Sequence, residues 1–133
     1  MTRIESKHVD IARPAQEIHG FLQDMNNFHQ LLPQERISDW KSDGTSCSFK
    51  VQGAASIGLR LDEAPSPDVV RMRSTERSPF PFTLDVHLDG ANGSTKAYQV
   101  FEADLNPFIR MMVEGPLKNL FDHIADRMVA IHP

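Results

Sequence analysis

Two periods divide this chain. Over residues 36–105 apolar positions recur every second residue, the spacing of half-buried strands, and over residues 106–131 they recur at steps of three and four, the spacing of one helical face. In the alternating part, Ser38, Trp40 and Ser42 oppose Ile37, Asp39 and Lys41, and Asp43-Gly44 supplies a hairpin turn. Residues 45–52 set Cys47, Phe49 and Val51 against Ser46, Ser48 and Lys50, and Gly53 ends that run. Ala55, Ile57, Leu59 and Leu61 then face away from Ser56, Gly58, Arg60 and Asp62, with Pro65-Ser66-Pro67-Asp68 closing the strand. Val70, Met72 and Ser74 alternate with Arg71, Arg73 and Thr75. The most regular alternation follows in Phe80, Phe82, Leu84, Val86 and Leu88. Gly90-Ala91-Asn92-Gly93 turns the chain into a last strand over residues 94–105, with Ala97, Gln99, Phe101, Ala103 and Leu105 inward.

The long helical stripe consists of Phe108, Ile109, Met112, Val113, Leu117, Leu120, Phe121, Ile124, Met128 and Ile131. Asn106 is its expected cap, Pro107 fits the first helical position, and Gly115-Pro116 predicts a kink between Met112 and Pro116. At the other end, residues 2–11 read as one strand whose inward face is ambiguous: Ile4 and Ser6 lie on one side, Val9 and Ile11 on the other. Pro14 opens a short helix with Ile18, Phe21 and Leu22 on one face. Asp24 caps a second, with Met25, Phe28, Leu31 and Leu32, that ends at Pro33. The order is one strand, two short helices, six strands in a meander and a long helix. That predicts an α+β domain spanning residues 1–133, in which a seven-stranded antiparallel curved sheet wraps on a long kinked C-terminal helix.

Composition changes this picture little. With 133 residues, 40% of them hydrophobic and 24% charged, the chain fits one core. A net charge of -4 argues against a nucleic-acid partner, and no run approaches a membrane span. A polar N-terminus and a single cysteine, Cys47, suggest a cytoplasmic protein. Candidate chemistry is sparse. The six histidines show no metal-ligand spacing, Gly53 to Gly58 matches no nucleotide loop, and neither metal nor cofactor is expected. Cys47 reads as a small buried residue, Arg110 and Glu114 as surface charges, and His123 with Asp126 as a surface pair. Phe80, flanked by Pro79 and Pro81, either stands at a cavity mouth or marks a bulge. Gln99 and Ser74 bring polar groups inward by alternation, Tyr98 and Arg73 would do so in the other register, and none forms an activated pair.

Ile4-Glu5-Ser6-Lys7 followed by residues 12–22, and then Asp24-Met25-Asn26-Asn27-Phe28-His29-Gln30-Leu31-Leu32-Pro33, resemble the opening segments of the Bet v 1-like or START-like (SRPBCC) superfamily. The order of elements along the whole chain is similar to that superfamily's helix-grip fold. The resemblance implies an apolar cavity between sheet and helix. Trp40, Phe49, Val51, Leu59, Leu61, Met72, Phe82, Leu84, Gln99 and Phe101 would line it from the sheet, and Phe108, Met112 and Val113 from the helix. It also implies a small hydrophobic ligand such as a lipid, quinone or polyketide-like aromatic. The same side chains can instead fill the space as a packed core. Three functions follow: binding of a small hydrophobic molecule, a polyketide cyclase or dehydratase-like enzyme, or a protein-interaction module with a filled core and a protein partner or second copy. The scarcity of inward acid-base groups favours the first over the second.

Overall fold

The computed structural model describes residues 1–52, 55–62 and 67–132. The strand breaks expected at Gly53 and at Pro65-Ser66 lie outside the described residues. The strands are β1 (Thr2–Glu5), β2 (Val9–Ile11), β3 (Ile37–Ser42), β4 (Ser46–Val51), β5 (Ser56–Asp62), β6 (Val69–Ser74), β7 (Phe82–Ala91) and β8 (Ser94–Ala103). They form one antiparallel sheet in the order β1-β8-β7-β6-β5-β4-β3, with β2 also on β8. Helix α1 (Ala15–Leu22) and 3₁₀ segments at Met25–Leu31 and Gln34–Arg36 cross from β2 to β3, and α2 (Pro107–Ala130) ends the fold. Among the described residues no helix is long and apolar enough to cross a membrane.

The ambiguity at the N-terminus resolves as a bulge. Glu5 pairs with Val100 but Val9 pairs with Ala97, so four steps on the first strand match three on β8. The extra residue reverses the alternation, and both Ile4 and Ile11 are buried. The expected single strand is therefore two. Ser6 supplies the missing ladder partner, accepting from the Gln99 N–H through its hydroxyl at 2.8 Å. The Lys7 N–H donates to Asp122 Oδ1 on α2 at 2.7 Å, while Lys7 Nζ meets Asp126 at 2.7 Å and Lys118 Nζ meets Asp122 at 2.8 Å. Burial pushes the Asp122 carboxyl up, but the Lys118 ammonium and the Lys7 N–H outweigh it and hold the group below the usual carboxylate range. This clamp contributes stability above the unfolded carboxylate pKa and loses it as pH falls.

A second bulge sits in β3, where Ser38 pairs with Lys50 but Lys41 pairs with Ser48, and Asp39 takes a φ of 57°. The shift lets both Ile37 and Trp40 pack against the core. Helix α2 is capped as expected, with the Ile109 N–H donating to Asn106 Oδ1 at 2.9 Å. It runs unbroken through Gly115-Pro116, so the expected kink does not interrupt it; Pro116 only leaves the Met112 carbonyl without its usual donor. The second short helix is 3₁₀ rather than α, with Asp24 accepting from the Asn26 N–H at 3.0 Å. Strand β7 begins at Phe82 rather than Phe80.

Gly58 on β5 lies under the β6–β7 connection. Its N–H donates to Ser78 Oγ at 2.8 Å, and its carbonyl accepts from the Thr75 N–H at 3.0 Å. A Cβ at this position would overlap Thr75 Oγ1 and lie 3.1 Å from Arg77 Cβ. Gly58→Ala is therefore expected to lower stability by about 1–3 kcal/mol, read in a urea melt; an unchanged midpoint would show that the connection moves aside freely.

The core lies on the concave face. Leu61, Met72, Leu84, Phe101 and Ile4 are successive cross-strand neighbours over five strands. Val113, Leu117, Leu120, Phe121, Ile124 and Met128 of α2 close over that face, and Phe28 and Leu31 seal one side.

Candidate functional site

Sheet and α2 meet around a small void. Phe28, Phe49, Ile57, Leu59, Phe82, Leu84 and Phe101 bound it below, and Leu117, Leu120, Phe121 and Ile124 above. The space open to water centres is about 10 Å³, room for one water at most, and the walls are wholly apolar. A neighbouring surface cleft offers about 170 Å³ between Pro33, Glu35, Arg36, Val51, Gln52, Pro116, Asn119, Leu120 and His123. Leu120 is the side chain common to both.

The expected wall residues fall into four groups. Phe49, Leu59, Phe82, Leu84 and Phe101 border the void. Val51, Met72, Gln99 and Val113 are buried but stand elsewhere in the core, and Trp40 and Leu61 pack partly buried against it. Phe108 and Met112 are corrected: they are 71% and 57% exposed, on the far side of α2. At about 100° per residue, Phe108 stands roughly 150° and Met112 roughly 110° from the centre of the stripe made by Val113, Leu117, Leu120 and Ile124. Phe108, Met111 and Met112 thus form a second, outward apolar face. The helical wall is instead Leu117 to Ile124, Ile57 of β5 adds to the sheet side, and Phe28 of the first 3₁₀ segment completes the lining. All six added residues carry a visible apolar period; what the sequence could not show is which part of a long stripe lies over the middle of the sheet.

No protein-family model and no curated protein matches the sequence. Solved structures do match over nearly the full length of both chains. XoxI from Bacillus cereus superposes with a TM-score of 0.74 at 10% identity, covering 99% of this chain and 96% of that one. A START superfamily protein from Mycobacterium smegmatis gives 0.67 at 13%, covering 98% and 96%. The Zhui aromatase/cyclase from Streptomyces sp. R1128 gives 0.66 at 13%, covering 98% and 93%. This chain has the START-like helix-grip fold.

Within that START-like frame the polar groups are few and mostly structural. Gln99 is fully buried on β8, where Nε2 donates to the Phe121 carbonyl at 2.8 Å and Oε1 has no partner among the described residues. Ser74 Oγ accepts from the Phe82 N–H at 2.9 Å. Arg110 and Glu114 pair on the surface at 2.8 Å; Asp126 bonds Lys7, and His123 borders the cleft. Phe80 is buried against Phe82 and Phe101, ring centroids 6.1 and 6.5 Å away. Among the described residues no three His, Cys, Asp or Glu side chains converge as metal ligands would.

Cys47 is buried, and burial, helped by Asp43, pushes its thiol up to about 12. Its unfolded counterpart ionises near 9.0, so stability is indifferent to this group below pH 9 and declines as pH rises from there toward 12. At pH 8 the native thiol is expected to resist a disulfide reagent that labels it at once in denaturant. Equal rates in both conditions would contradict the burial.

Proposed function

We propose that this protein holds a small apolar molecule between the sheet and α2, admitted from the surface cleft past Leu120. The observation that carries the reading is the shared wall: one leucine side chain stands between an outward cleft and a void lined only by apolar groups. The cleft also adjoins Pro116, where α2 lacks one backbone hydrogen bond and yields most easily. The void is far below the ~300–1,000 Å³ of ordinary ligand pockets, so binding requires Leu120 and the facing aromatic rings to turn outward. A cyclase-type activity has less support, since none of the void's walls carries an ionisable side chain.

Titration with a solvatochromic naphthalene dye, read together with native mass spectrometry, is expected to give a saturable one-to-one complex. No complex at any dye concentration would overturn the reading. The outward face of Phe108, Met111 and Met112 favours a second reading, a protein-interaction module on a filled core. In that case Met112→Asp would abolish a specific protein contact, and no dye would bind.

A further inference from the structure

We propose that the bound molecule is an apolar body carrying one hydrogen-bond donor, a hydroxyl or N–H, and that Gln99 Oε1 receives it. The inference rests on the apolar-ligand reading and narrows it. Among the described residues Gln99 is the buried polar side chain whose needs are left half met: Nε2 is fixed by the Phe121 carbonyl, and Oε1 meets no donor. The amide cannot turn over, because that would set its oxygen against the carbonyl oxygen. Its cross-strand neighbours offer nothing. Val86 is apolar, and the Ser6 hydroxyl accepts from the Gln99 N–H while donating to the Lys7 carbonyl at 3.0 Å.

An unpartnered buried acceptor opposes folding, and methionine would fill a similar volume without that loss. The place of the oxygen gives it a use. Gln99 lies two residues from Phe101 on the same face of β8 and bonds the backbone of Phe121, and both of these rings border the void, their centroids 5.6 Å apart. When those rings turn aside for a ligand, Oε1 is the unpartnered acceptor on their own face of β8. The aromatic walls then supply affinity, and the amide oxygen selects for a donor at the deep end of the ligand.

Three probes of matched shape test this with the full chain: 1-naphthol, which donates, 1-methoxynaphthalene, whose oxygen only accepts, and 1-methylnaphthalene. The native protein is expected to bind 1-naphthol about tenfold more tightly than either of the others, against its greater preference for water. In Gln99→Met that preference should vanish. The Gln99 side-chain carbonyl carbon, followed by NMR in the native sequence, should shift with 1-naphthol and not with 1-methylnaphthalene, a readout that survives if the variant misfolds. Equal binding of all three probes, or a naphthol preference that persists in Gln99→Met, overturns the inference while leaving the apolar-ligand reading standing. If none of the probes binds, that reading falls and takes the inference with it.

Discussion

Phe101→Ala is expected to lower the unfolding free energy by about 3–5 kcal/mol and the melting temperature by roughly 10 °C or more. Phe101 has no exposed surface, and its ring touches three parts of the fold at once. Phe82 stands 5.0 Å away on β7, Phe121 5.6 Å away on α2, and Phe80 6.5 Å away at the end of the β6–β7 connection. Its backbone neighbours Leu84 and Ile4 lie in the same cross-strand row. Removing the ring leaves a hole that no single neighbour can fill, since each is held by a different element. The existing void of about 10 Å³ shows that the site is already packed, so little of the ring's contact energy is missing beforehand. A urea melt checks the size of the loss. A cost below about 1.5 kcal/mol would mean that α2 settles onto the sheet in its absence, and the core would then be far more plastic than its packing indicates.

The same residue shows how far sequence alone reaches. Alternation places Phe101 inward on the last strand, because a sheet side chain has two faces to choose from and a row of apolar neighbours selects one, while its position beside Leu84 and Phe82 follows from the register with β7. Where the period slipped, the sequence was silent. Ile4 and Ile11 have opposite parity, and only pairing with β8 reveals the extra residue that turns both inward. Ile37 and Trp40 conceal a bulge in the same way, at an aspartate in the left-handed region. The helix failed for a different reason. Phe108 and Met112 continue a three- and four-residue spacing, but that spacing fits two faces of one long helix, and the choice between them depends on where the sheet ends beneath it. Whether a concave apolar surface is open or filled is harder still, since it turns on side-chain volumes summed over several elements.

Leu120→Ala is expected to cost about 2–5 kcal/mol and, alone among core truncations of this size, to improve binding of an apolar dye. The side chain is 4% exposed and borders both the interior void and the outer cleft, so its loss joins the two spaces instead of leaving a sealed hole. Met112→Ala is the control on the same helix: Met112 is 57% exposed, and its truncation should stay within about 0.5 kcal/mol. The joined space changes what a ligand does to the protein. A dye at 100-fold its Kd returns about 2.7 kcal/mol by mass action, enough to recover much of the loss. A melt with and without dye therefore separates two roles for one residue. Lost stability with tighter dye binding and a large rescue marks Leu120 as the partition through which the ligand passes. Equal loss with no gain in affinity makes it an ordinary core leucine, and the way in would have to lie between α2 and the sheet elsewhere.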